Sequence, residues 1–210
     1  MHLIADHALD GTPGIVAVRH VDRNGKGAAG GEVTLDETTS QQVAARMDGL
    51  PAERVRPALH ACLASTEWVE TMLAGRPHGD VAGWLAAGDA AFDALSDSAV
   101  LIALQAHPRI GESPTGGGAD AAASRREQHQ MGAASDDVRV GIAAGNRAYE
   151  ERFDRVFLIR AAGRPPHESL AELRRRLAND DETELAEARA QLRQITALRL
   201  EQALTPDPSP

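Results

Sequence analysis

At 210 residues with 42% hydrophobic side chains, the chain is long enough to bury one substantial core and short for two full domains. A net charge of −9 offers no basic field to phosphate backbones, so nucleic acid is not an expected partner. The single cysteine, Cys62, excludes an intrachain disulfide and any multi-cysteine zinc site, and its neighbours Leu59 and Leu63 make it a packed thiol.

Residues 1–44 differ in texture from everything after them, with clustered glycines and short β-like runs at 15–18 and 33–35, and they predict a hairpin or a disordered extension. Gly25-Lys-Gly-Ala-Ala-Gly30 fits the G-x-G-x-x-G dinucleotide pattern. No convincing helix and no βαβ unit follow it, and Asp22-Arg-Asn-Gly25 is better hairpin or linker chemistry. No window approaches the length of a membrane span, and the first eleven residues lack a basic segment followed by an apolar run. The expectation is a cytoplasmic protein with no membrane partner.

From Leu50 the pattern becomes helical. Pro51 suits a first helical position, Val55, Leu59, Cys62 and Leu63 share a side, and the interior Pro57 should bend or shorten this helix. A short helix at 67–73 ends at Gly75. Asp80 is then an N-cap for a helix burying Val81, Trp84, Leu85, Gly88 and Phe92, and Ser96 with Asp97 caps the apolar run that ends at His107. Pro108 biases His107 away from the α region, which sets the imidazole beside carbonyls freed by the helix end. Gly111, Pro114 and Gly116 to Gly118 turn the chain, and Ser124, Glu127 and Gln128 open the next helix, read over about 119–152 with an interruption at 132–136, Gly141 or Gly145.

Residues 156–159 form the one compact β-branched and aromatic run of the core region. Ser169 and Glu172 sit at capping-box spacing, although Pro165-Pro166 can start that helix earlier, and it ends near Asn179. The last helix, about 182–204, carries Leu185, Ala188, Leu192 and Ile195 on a seam whose next step is Arg199. The fold expected is all-α, a single irregular helical bundle over 45–204 with one extended segment near 156–160, followed by a frayed tail at 205–210.

His107-Pro-Arg-Ile-Gly-Glu, followed twenty positions after the histidine by Glu127-Gln128, resembles the OHCU decarboxylase family. Matches continue in order through Ala61-Cys62 with Trp68, Arg76-Pro77, Asn146 with Tyr149, Arg152-Phe153, Phe157-Leu158-Ile159, Gly163-Arg164, Arg176-Leu177 with Asn179, and Leu198-Arg199-Leu200, over roughly 44–204. The family's usual Arg-Phe-Gly is Arg152-Phe153-Asp154 here, and aspartate tolerates the positive φ that such a turn needs.

The resemblance implies decarboxylation of 2-oxo-4-hydroxy-4-carboxy-5-ureidoimidazoline (OHCU) to (S)-allantoin and carbon dioxide, in a homodimer and without a cofactor. A C=N group beside the carboxylated ring carbon can take the electrons that carbon dioxide leaves behind. By the same likeness His107 is the catalytic residue, handling protons at the C4 hydroxyl and during tautomerisation, with Glu127 orienting it or the hydroxyl. Pro108, Ser124, Gln128, Phe157, Leu158, Ile159, Arg160, Ala161 and Arg199 would hold the ring and ureido group. Arg199 belongs on a ring or ureido oxygen, because gripping the departing carboxylate would stabilise the ground state.

Each of these residues also has a plainer reading. His107 can be a helix-terminal histidine interacting with C-terminal carbonyls, Glu127 the carboxylate of a capping box with Ser124, and Arg199 a charge near a helix C-terminus. Residues 157–161 can be simple core, although extended backbone also has N–H and C=O groups to offer a planar heterocycle. Eight histidines spread singly give no metal signature. Two rival functions stand beside the decarboxylase: a non-catalytic helical interaction protein that kept the fold, and a metal-dependent amidohydrolase of a neighbouring ureide.

Overall fold

The computed structural model describes residues 15–17, 34–112, 132 and 134–205. Within them the fold is all-α, built from eight helices and one short antiparallel ribbon in which β1 (Ile15–Ala17) pairs with β2 (Thr34–Asp36), Val16 opposite Leu35. In chain order the helices are α1 (Glu37–Gly49), α2 (Ala52–Cys62), α3 (Thr66–Ala74), α4 (Val81–Asp93), α5 (Asp97–Gln105), α6 (Asp136–Phe153), α7 (Pro166–Arg176) and α8 (Asp181–Leu204). The Gly25 to Gly30 pattern and the residues after Thr205 lie outside the described residues.

α1 was not expected, since helical texture was read only from Leu50. The reason is visible in what holds it: of its thirteen residues only Ser40 and Ala44 are buried. Its anchors are polar. Ser40 Oγ accepts from Val81 N at 3.2 Å, and the Asp48 carboxylate accepts from His78 N at 3.1 Å and Gly79 N at 3.0 Å. Arg76 returns the tie, its Nη1 donating to the C=O groups of Met47 and Leu50 at 3.2 and 2.7 Å, which satisfies carbonyls at the C-terminal end of α1.

The other helix starts follow their capping chemistry. Asp80 accepts from Gly83 N at 2.7 Å and Ser96 from Ala99 N at 3.2 Å, each oxygen satisfying an amide that the first turn leaves without a partner. Pro51 is the N-cap of α2, so the helix starts one residue later than expected, and α2 runs through Pro57 to Cys62 instead of ending there. α7 starts at Pro166, so Ser169 lies inside the helix and is buried; the capping box read at Ser169 and Glu172 is not formed. α6 begins at Asp136 and continues through Gly141 and Gly145, which lie against Leu170 and Leu173 of α7. It stops at Asp154 in the left-handed region, φ 52° and ψ 36°, the conformation expected for this aspartate in the glycine's place.

α8 is the axis of the larger core, packed by α2, α4 and α5. Cluster one gathers Leu59, Leu63, Trp68, Met72, Trp84, Phe92, Leu104, Leu192, Ile195, Leu200 and their neighbours. Trp68 Nε1 donates to the Gly88 C=O at 3.0 Å, locking α3 onto α4. Arg189 of α8 donates to the C=O of Leu95 at 2.7 Å, at the end of α4. Cluster two joins α6 to α7 through Ile142, Tyr149, Phe153, Leu170 and Leu173, together with Ile110 and Ala134. Between the clusters runs an extended segment at 156–161, whose buried side chains alternate between them: Leu158 belongs to cluster one, while Phe157, Ile159 and Ala161 belong to cluster two. Alternation of this kind is the period-two signature of extended backbone.

Candidate active site

α5 ends where Pro108 predicts. His107 N donates to the Leu104 C=O at 3.1 Å, closing the last turn, and the ring folds back so that Nδ1 donates to the Ala103 C=O at 2.9 Å. One side chain thus satisfies a carbonyl of the final turn and commits its Nδ1 as a donor, so that in the neutral ring the lone pair is on Nε2. The imidazole is 7% exposed.

The loop after it is held from α6. Asn146, itself buried, donates from Nδ2 to the Ile110 C=O at 3.0 Å. Arg109 grips Glu150 in a two-pronged pair, Nε to Oε1 at 2.5 Å and Nη2 to Oε2 at 2.7 Å. That guanidinium, through its hydrogen bond first and its charge second, keeps the Glu150 carboxyl below the usual carboxylate range. Gly111 reverses the chain at φ 83°, where a side chain would be strained. The loop therefore spans both clusters, Ala103 and Leu104 entering from cluster one and Ile110 leaving into cluster two.

The extended segment spans the same two clusters. Two of its backbone groups, expected to be open, are taken: Leu158 C=O accepts from Arg176 Nη1 at 2.8 Å, and Arg160 N donates to Gln191 Oε1 at 2.9 Å. Ala161 C=O accepts from Arg164 N at 3.0 Å in the turn that follows. Among the described residues the N–H and C=O of Ile159 and the N–H of Ala161 have no hydrogen-bond partner. The Arg160 side chain is half-buried, and burial first, then the Arg164 guanidinium, lowers its pKa from the ordinary arginine value, with Glu201 of α8 opposing.

Arg199 is 6% exposed and turned inward from α8, as its register implies, with Nη1 donating to the Ala61 C=O of α2 at 3.2 Å. The seam departs from expectation at its start, where Glu184 is buried and Leu185 only half-buried. Arg199, Gln191 and Glu201 place three side chains of α8 along the region of the extended segment and of α2.

Of the expected site residues, His107 and Arg199 are buried, Pro108 lies in the loop that passes from cluster one to cluster two, and Phe157 to Ala161 form the segment whose side chains divide between the same clusters. Ser124, Glu127 and Gln128 lie outside the described residues. Sequence reasoning did not assign roles to Asn146, Arg176, Glu184 or Gln191. Glu184 had a signal, since it stands four residues before Ala188 on an apolar seam, where a carboxylate must have a partner. Among the described residues no group of three or more His, Cys, Asp or Glu side chains is arranged to hold a metal ion.

The described residues form a helical fold that carries a buried histidine, His107, just beyond the end of α5, and a non-helical segment, 156–161, some of whose backbone groups have no hydrogen-bond partner. A family model described as OHCU decarboxylase matches residues 48–201. The chain belongs to that family, and it is a carboxy-lyase of urate breakdown. It is similar to a crystal structure of OHCU decarboxylase in the presence of (S)-allantoin, at 28% identity and a TM-score of 0.59, covering 68% of this chain and 94% of that one. It is also similar in fold to a crystal structure of (S)-allantoin synthase, at 19% identity and a TM-score of 0.59, covering 76% of this chain and 53% of that one. No curated protein matches the chain.

Proposed function

We propose that this chain decarboxylates OHCU to (S)-allantoin with His107 as the proton-handling group. The observation that carries the assignment is the Nδ1 hydrogen bond to the Ala103 C=O at 2.9 Å, which leaves the Nε2 lone pair as the base of a buried ring. His107 takes the proton of the C4 hydroxyl, the C–C bond to the carboxylate breaks, and the electron pair moves onto the ring C=N nitrogen. The protonated imidazole returns that proton to the ring carbon as the ring tautomerises, and a second proton, taken up from solvent on the ring nitrogen, is the one gained for each carbon dioxide lost. Protonation within a site closed to solvent gives a single enantiomer.

The ring lies against the Phe157 to Ala161 backbone, whose Ile159 N–H and C=O match the donors and acceptors of an imide-like edge. Arg199 takes a ring or ureido oxygen, Glu127 orients the imidazole or the C4 hydroxyl, and Pro108, Ser124 and Gln128 complete the enclosure. The same reading makes the protein a cytoplasmic homodimer; no helix among the described residues is long and apolar enough to cross a membrane.

The test is circular dichroism of freshly generated OHCU. Wild type should yield (S)-allantoin rapidly, and His107→Ala should lower kcat by about a hundredfold or more, the usual contribution of general acid–base catalysis. A His107→Ala variant that is folded and as fast as wild type would remove His107 from the mechanism.

A further inference from the structure

We propose that Arg176 and Glu184 are positioning residues for the substrate, an ion pair that aims the backbone of the extended segment; this rests on the reading of 157–161 as the ring platform. Both residues are 0% exposed. Arg176 divides its donors between the pair and the segment. Nε donates to Glu184 at 2.9 and 3.2 Å, Nη2 donates to Glu184 and, at 3.4 Å, to the Tyr149 oxygen, and Nη1 donates to the Leu158 C=O at 2.8 Å. The guanidinium also lies 4.7 Å from the centre of the Phe157 ring. Glu184 is saturated in turn by Asn179 Nδ2 at 2.8 Å and by the Tyr149 hydroxyl, whose pKa burial raises first and Glu184 second, so that it stays a donor.

A buried ion pair is a poor way to stabilise a fold, because desolvating two charges offsets most of their attraction and apolar residues of similar volume often do as well. What apolar residues cannot do is hold a carbonyl. In extended backbone the C=O of residue i and the N–H of residue i+2 point to one edge, and the groups of residue i+1 point to the other. Leu158 C=O and Arg160 N–H are the two tied groups, the first by Arg176 and the second by Gln191. Both side-chain ties fall on the edge they share, and on the opposite edge Ile159 N–H and C=O and Ala161 N–H have no hydrogen-bond partner, while Ala161 C=O is taken by Arg164 N in the turn that follows. The pair therefore selects which edge of the segment a planar ligand meets, and from α7 and α8 it fixes the rotation of that edge about the chain axis.

Replacing both ions at once separates positioning from folding, since Arg176→Met with Glu184→Met leaves no uncompensated charge. The double variant should fold with a melting midpoint close to wild type, raise KM for OHCU about tenfold while changing kcat less, and speed amide exchange at Ile159 and Ala161. Arg176→Lys, which keeps the charge opposite Glu184 but has no fork to reach Leu158 as well, should raise KM in the same direction. A folded double variant with KM within about twofold of wild type overturns the proposal. So does a double variant that no longer folds, because the pair then holds up the structure. Amide shifts of wild type on adding (S)-allantoin test the platform separately: movement at Ile159 and Ala161 is expected, and if neither moves the platform reading fails whatever the ion pair does.

Discussion

Gly88 lies on α4 where that helix meets α8, and a methyl group added to it would stand 2.7 Å from Leu200 Cδ2, 3.6 Å from Trp68 Cζ2 and 3.8 Å from Met72 Cε. Carbon atoms pack best at about 3.5–4.0 Å, so the leucine would have to withdraw by roughly 1 Å. It has nowhere easy to go, because Leu200, Trp68 and Met72 are all buried in cluster one. Overpacking of this kind costs about 1–3 kcal/mol, and exchanging glycine for alanine inside a helix gives back about 1 kcal/mol, for a net loss of about 0–2 kcal/mol. That interval is too broad to decide anything alone, and the cycle with Leu200→Ala is decisive. By itself Leu200→Ala should cost about 2–5 kcal/mol through lost burial and the cavity it leaves. In the Gly88→Ala background the clash is gone and the new methyl fills part of the cavity, so the double variant should be less destabilised than the sum by about 1 kcal/mol or more. Urea unfolding of the four proteins, followed by far-UV circular dichroism, measures this. Because Leu200 adjoins Arg199, KM should rise in Gly88→Ala. Additive free energies would show that close approach is not what the glycine provides.

Asn146→Ala removes the hydrogen bond that holds the Ile110 carbonyl and leaves that carbonyl buried without a partner, which should cost about 1–3 kcal/mol in urea unfolding and lower kcat/KM as the loop carrying His107 loosens. Full stability and activity together would mean the loop is held otherwise. A second expectation concerns acid. The Glu172 and Glu187 carboxyls are both held below the usual range, in each case first by the hydrogen bond from Arg175. With folded pKa values below unfolded ones, their contribution is complete above the unfolded glutamate pKa of about 4.3 and is lost as pH falls through the folded values. Melting midpoints should therefore drop on acidification below about pH 4.5, and less steeply in Arg175→Ala. Parallel curves for the two proteins would exclude this cluster as a cause.

The parts of the fold that were legible are those where one residue type does one local job. Ser96 and Asp80 cap because their oxygens reach the amide three residues on, and α5 stops just before His107 because proline follows that histidine. Arg199 was readable as inward because a 3.6-residue period carries an apolar seam onto it. Partnership across the chain was not legible. α1 is held by Ser40, Asp48 and Arg76 through hydrogen bonds to residues 26 to 41 positions away, so its thirteen residues lack the apolar stripe by which a helix is recognised. Ser169 fits a capping box by spacing, yet the proline pair before it starts the helix sooner and carries the serine inside. Glu184 displaced Leu185 from the seam because Arg176 and Tyr149 meet it there, and no local pattern announces a partner 35 residues upstream. In the site, the imidazole's place beside the last carbonyls of α5 followed from the proline after it, whereas the two ties on the extended segment required knowing what α7 and α8 bring to it.

The alternation along residues 157–161 also means that one strand of chain is the party wall of two hydrophobic rooms. Leu158 is seated in one and its neighbours in the other, so any slippage between the two groups of helices must shear the segment before it melts either cluster. Substrate affinity becomes a strain gauge for the whole protein. Core variants in either half that leave the helices intact should register first as weakened binding, and only at larger destabilisation as unfolding.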